Sequence, residues 1–179
     1  MKTILFVARL ALTLLAITAV VAVALAGVNM ITAPAIAELN AQNTQAAIEA
    51  VLPGGGTEMA DFPAVDLVSK VYASDAGYAV QVTPGGFDNT ITMMVGVDKA
   101  GNVLGIDVVS HTETAGLGAV SDADTPAGIA FREQFIGAAG SVSVTKDGGQ
   151  MDAITGATIT SRAVCAGVNA ALECAAKLG

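Results

Sequence analysis

Cysteine, histidine and positive charge are all scarce in this chain of 179 residues, which has two Cys, one His, and eight Lys and Arg against sixteen Asp and Glu. Each shortage removes a class of function. With no Cys or His at ligand spacing, neither zinc nor an iron–sulfur cluster is expected, and no residue is assigned to a metal. Cys165 and Cys174 fall on one predicted helix but on nearly opposite faces, so they are not expected to pair. Cys165 is expected in the core, and Cys174 as a small apolar residue or a thiol at a contact with a partner. A formal net charge of −8 leaves no basic face for nucleic acid. There is no internal repeat, and no low-complexity tract beyond an alanine bias.

Apolar residues, by contrast, are plentiful and unevenly placed. The mean hydropathy is +0.64, and the excess concentrates in the first thirty residues. Residues 10–28 contain no charge, Asn, Gln or Pro, and that length is enough to cross a bilayer core as a helix. Ala24-Leu25-Ala26 followed by Gly27 also resembles a signal-peptidase site, but the apolar run exceeds the roughly 7 to 15 residues of a signal-peptide core. A retained anchor touching lipid through residues 4–28 is therefore expected. Lys2 and Arg9, the latter just inside the start of the apolar sequence, are the charges on the N-terminal side and Glu38 is the first charge after the span, which predicts a single pass with a cytoplasmic N-terminus and an extracytoplasmic C-terminal domain. The organisation expected is an anchor over residues 1–30, a juxtamembrane helix and Gly-rich linker over 31–56, and one domain over 57–179.

Within that plan, residues 34–52 read as a helix stopped by Pro53-Gly54-Gly55-Gly56. A strand is faintly indicated around residues 65–68. Residues 78–83, 90–97 and 102–110 alternate apolar and polar or small side chains and predict three antiparallel strands in a meander. Asp124 or Thr125 can cap a helix that begins at Pro126 and runs to Gly137. Residues 141–146 predict a short strand, and Val164, Val168, Ala171, Leu172 and Ala175 mark the buried stripe of a final helix. The fold class is α+β: an N-terminal transmembrane helix, then a domain with an antiparallel sheet and packed helices.

Two stretches carry candidate chemistry. The first is Asp152-Ala153-Ile154-Thr155-Gly156-Ala157-Thr158-Ile159-Thr160-Ser161-Arg162, a turn dense in hydroxyls that enters the final helix. Threonines in such a place commonly cap the helix, yet free N–H groups at a helix start also bind anions. The second is His111-Thr112-Glu113-Thr114-Ala115-Gly116-Leu117-Gly118, a loop in which two glycines bracket one leucine, so that backbone can approach a flat ligand and Leu117 can cover a ring. The bland reading of that loop is a strand exit with Glu113 in solvent. No general acid or base stands near the first stretch other than Asp152 and Glu113.

The first stretch resembles the threonine-flavinylation motif of the flavin-binding proteins of two related ion-pumping complexes, the G subunit of the Rnf electron transport complex and the C subunit of the sodium-pumping NADH:quinone oxidoreductase. The second is similar to the Glu-Thr-Pro-Gly-Leu-Gly loop of the same family, with Ala115 where Pro is usual. The compact spacing before Gly77 is more similar to the Rnf protein.

The resemblance implies FMN joined through a phosphoester to Thr158 by a flavin transferase. It also implies a cofactor site comprising Thr155, Gly156, Ala157, Thr160, Glu113, Thr114, Gly116, Leu117 and Gly118, with Asp152 supporting the motif. Thr160 and Ser161 are expected in the first helical turn, with their oxygens on N–H groups. The function implied is an electron relay with no turnover of its own, partnered by other membrane subunits in a complex that couples ferredoxin/NAD electron transfer to Na+ or H+ movement. Two other classes remain open on the residues alone: a flavin-free, membrane-tethered binding module, and a flavin reductase that acts by itself on a diffusible acceptor.

Overall fold

A computed structural model describes the backbone of residues 2–179 and the side chains from Phe6 onward. Met1, and the Lys2 side chain on which the orientation partly rests, lie outside the described residues. The chain divides into two units, residues 1–42 and 43–179.

The first unit consists of helix α1 (Lys2–Val51) as far as residue 42. Every described side chain in it is exposed, including Phe6, Leu14, Val23 and Met30. Among the described residues this is the one helix long and apolar enough to cross a membrane; its most apolar stretch has a mean hydropathy of 2.5 and no buried residue. A helix apolar all round needs an apolar surrounding. The separate helix expected from Pro34 is not a separate element, because Pro34 lies inside α1. Proline deletes one N–H from the helical ladder but keeps a helical φ, so the chain continues through it.

The second unit is built on a five-stranded antiparallel meander in the order β1 (Thr57–Glu58), β2 (Val68–Ala73), β3 (Gly77–Val82), β4 (Thr92–Asp98) and β5 (Val103–Ser110). The three expected strands are β3 to β5. The faint signal at residues 65–68 marks only the entry to β2, since Leu67 takes a left-handed φ of 69° and the ladder begins at Val68.

Alternation then sorts side chains to two faces. Val71, Val80, Val82, Met93, Val95 and Val97 face a large core shared with the final helix. Tyr72, Ala79 and Met94 face a smaller one, completed by Ala47, Ile48 and Val51 from the end of α1 and by Leu52 just after it. At the centre of that second face stands Gly96, where a Cβ would collide with the Val51 carbonyl oxygen. Glycine there lets the helix end lie directly on the strand.

Helix α2 (Pro126–Glu133) is capped by Thr125, whose hydroxyl accepts from the Gly128 N–H at 3.2 Å, and has Pro at its first position. It ends before the expected Gly137. Its Phe131 meets Phe135 edge to face with ring centroids 5.5 Å apart.

The strand expected at residues 141–146 is not formed. The Asn169 side chain instead accepts from the Val142 N–H at 2.8 Å and donates to the Val142 carbonyl at 2.9 Å, so a helix side chain takes the hydrogen bonds a neighbouring strand would have made. A short 3-10 turn, Thr145–Asp147, follows. Helix α3 (Thr158–Leu178) closes the large core, and both cysteines on it are free and buried.

Candidate functional site

The start of α3 has no side-chain cap. Its N-cap residue is Ala157, which makes no side-chain cap hydrogen bond. The capping reading of Thr158 and Thr160 is therefore corrected: the first N–H groups of the helix stay available where its dipole is positive.

Each hydroxyl of the motif has a different partner. Ser161 is fully buried, accepting from the Ile154 N–H at 3.0 Å and donating to the Ala157 carbonyl at 3.0 Å, which closes the turn that leads into the helix. Thr160 departs from expectation. Its oxygen does not accept from an N–H; the buried hydroxyl donates to the Glu113 carboxylate. Thr158, half-buried at the helix start, accepts from the Lys146 ammonium at 3.1 Å.

Glu113 is likewise not in solvent. It is 7% exposed, and its second oxygen accepts from the Phe87 N–H at 2.8 Å. One buried carboxylate thus ties together the β3–β4 turn, the loop after β5 and the first turn of α3. A buried charge needs such partners to offset its lost hydration. Gly118 makes room for the knot, because a Cβ there would strike both Glu113 and Thr160. His111 is turned elsewhere: its Nδ1 accepts from the Glu113 N–H at 3.1 Å and its Nε2 is 3.6 Å from Asp122.

These contacts enclose a cavity of about 260 Å³ lined by Glu113, Thr114, Leu117, Gly118, Gly156, Ala157, Thr158 and Thr160. The two stretches singled out in the sequence, some forty residues apart, meet here. A methyl added at Gly156 would come within 2.9 Å of Leu117 Cδ2. Gly116, Asp152 and Thr155 do not line this cavity. They border an adjoining groove of about 470 Å³ together with Phe131 and Gln134. There the Gln134 amide pairs with the Asp152 backbone, accepting from its N–H at 2.7 Å and donating to its carbonyl at 3.1 Å.

Three further cavity residues escaped the sequence reading: Phe87, Lys146 and Ile159. Phe87, Leu117 and Ile159 are large apolar side chains left 67%, 43% and 49% exposed around the opening. An exposed phenylalanine within a Gly-rich hairpin turn was the available signal for the first. Lys146 is followed by Asp147, which receives Arg162 Nη2 and Nε at 2.6 and 2.7 Å. That bidentate bond and the guanidinium charge hold the Asp147 carboxyl below its ordinary range.

An apolar rim, a cation and an uncapped helix start suit a ligand with a flat ring and a phosphate. The volume falls just under the ~300–1,000 Å³ usual for small-molecule sites, so part of such a ligand would stay at the surface. A larger groove of about 1000 Å³ is bordered by glycine backbone and by Glu49 and Asp75, the wrong sign for an anion.

Residues 86–173 match the FMN-binding domain family. The chain is 33% identical to the G subunit of the Na(+)-translocating ferredoxin:NAD(+) oxidoreductase complex of Acetobacterium woodii, over 92% of its own length and 89% of that protein. It belongs to this G-subunit family. The G subunit of the ion-translocating oxidoreductase complex of Vibrio vulnificus is 41% identical over 51% of this chain and 45% of its own length. The Pseudomonas aeruginosa protein of the same name is 36% identical over 63% and 55%. The chain thus spans about half the length of these two relatives. The names favour the Rnf-type protein over its quinone-reductase counterpart. The matched domain contains both the Phe87 turn and the Thr158 helix start, so the cavity lies wholly within the FMN-binding family region.

Proposed function

We propose that this chain relays electrons through FMN held covalently as a phosphoester on Thr158, in a membrane complex that couples ferredoxin/NAD electron transfer to Na+ or H+ translocation. The observation that carries the reading is that Thr158, alone among the motif hydroxyls, combines a place in the cavity with an oxygen not committed to the turn or to Glu113. Thr160 and Ser161 are buried and spend their hydroxyls on structure. Thr155 borders the adjoining groove.

FMN, when bound, supplies the redox chemistry. The chain's residues supply position. The uncapped N–H groups of α3 meet the phosphate charge, while Phe87, Leu117 and Ile159 offer apolar surface to the ring. Glu113 keeps the three segments in register, and because both its oxygens are engaged it acts as a tie and not as an acid or base. The Asp152 side chain and Thr155 stay exposed, accessible to a flavin transferase reading the motif. Helix α1 anchors the domain in the membrane with its N-terminus cytoplasmic, so that the flavin faces the outer side beside the partner proteins.

The test is full-length protein made alongside a flavin transferase, denatured, and examined for ultraviolet fluorescence and for the mass of the peptide bearing Thr158. A fluorescent band with FMN on Thr158 is expected, and Thr158→Val should abolish both signals while leaving the fold intact. An unmodified wild-type peptide would mean a flavin-free binding module. Full turnover after removal of the partner proteins would mean an independent reductase.

A further inference from the structure

Lys146 holds a place that the redox role does not explain. Its ammonium donates to Thr158 Oγ1 at 3.1 Å from the short turn Thr145–Asp147. The next residue, Asp147, takes both guanidinium bonds from Arg162, one helical turn beyond Thr158 on the same face of α3. Two consecutive turn residues are thus fastened to two helix positions four apart. The clamp has an electrostatic consequence as well as a geometric one. An unpaired Asp147 would cancel its neighbour's charge, whereas paired with Arg162 it leaves the Lys146 charge free to act on a ligand. Among the described residues, Lys146 is also the one cation lining the cavity.

We propose that Lys146 is the counter-ion of the phosphoester on Thr158, a positioning residue that fixes the phosphate and thereby limits rotation of the attached flavin. This rests on the Thr158 reading above. Lys146 makes and breaks no bond in this role; from hydrogen-bond distance of Thr158 Oγ1 its ammonium would hold the phosphoryl group by charge, and the Asp147–Arg162 pair would keep its turn from swinging away. Lysine suits the position as a compact point charge on a flexible stem.

The experiment compares full-length protein in detergent made with and without a flavin transferase. Acetylation of the Lys146 amine is followed by peptide mass spectrometry, with exposed Lys99 as internal reference. Loading should slow Lys146 acetylation about fivefold or more through a charge-assisted bond to phosphate, with Lys99 unchanged. In loaded Lys146→Met protein the flavin fluorescence anisotropy should fall, and Lys146→Arg should restore it. Equal acetylation rates in loaded and unloaded chains, or unchanged anisotropy in Lys146→Met, would overturn the proposal while the Thr158 assignment stood. A wild-type chain with no FMN on Thr158 would remove the assignment itself, and this inference with it.

Discussion

The two faces of the sheet are closed by helices of similar alanine-rich composition and different purpose. On one face the last turns of α1 and the residue after them contribute only apolar side chains, Ala47, Ile48, Val51 and Leu52, set on Gly96 and Met94. On the other, α3 buries a comparable apolar stripe but begins with hydroxyls, of which Thr160 and Ser161 are buried while Thr158 and Thr160 line the cavity. The difference teaches where changes should act: at the end of α1 on stability alone, at the start of α3 on the polar knot and on the cofactor attachment proposed there.

Leu52→Ala is the strongest way to test that division. Leu52 is completely buried, and its truncation should cost about 2–5 kcal/mol. Denaturation followed by circular dichroism should show the loss, while the fraction of folded protein carrying FMN on Thr158 stays as in wild type. Loss of attachment in folded Leu52→Ala protein would break the comparison.

Gly96→Ala acts on the same contact from the strand side. The added methyl meets the Val51 carbonyl, so the helix end must shift, at about 1–3 kcal/mol. Hydrogen exchange should increase at β4 and at the end of α1, with the α3 start unaffected.

Thr160→Val moves to the other face. It keeps the shape and deletes the donor to Glu113, leaving a buried carboxylate oxygen short of a partner at about 1–3 kcal/mol. Flavin should still attach to Thr158, and its spectrum should shift because the Phe87 turn and the loop holding Leu117 share that carboxylate. An unchanged spectrum would separate the knot from the flavin site.

The smallest effect expected is a pH dependence. Burial raises the Cys165 thiol from its ordinary 9.0 to about 11, and Cys174 shifts the same way for the same cause. A raised folded pKa means that stability is complete below 9.0 and declines as pH climbs toward about 11, because the unfolded chain ionises first. Denaturation midpoints at about pH 8 and about pH 10 should differ in that direction. Iodoacetamide should modify the thiols slowly until the protein unfolds.

The alternation in residues 78–83, 90–97 and 102–110 determined the central strands, and the all-round apolar run of residues 10–28 determined a segment suited to lipid. The Thr-Gly-Ala-Thr turn and the Gly-Leu-Gly loop could be picked out because glycine and hydroxyls in such patterns carry local backbone consequences. Only the tertiary structure decided that α1 continues through Pro34 and ends inside the second core, and that Asn169 takes the hydrogen bonds which the sequence pattern had reserved for a strand at residues 141–146. It also decided the hydrogen-bond partners of Glu113, Thr160 and Lys146. The physical reason is range. Propensity and periodicity act over a few residues, whereas the Glu113 knot spans positions 87, 113 and 160, the Lys146 contact reaches position 158, and the adjacent ion pair joins positions 147 and 162. Whether a buried carboxylate or an exposed ammonium has a partner is settled by which segments the core brings together, and no local pattern encodes that.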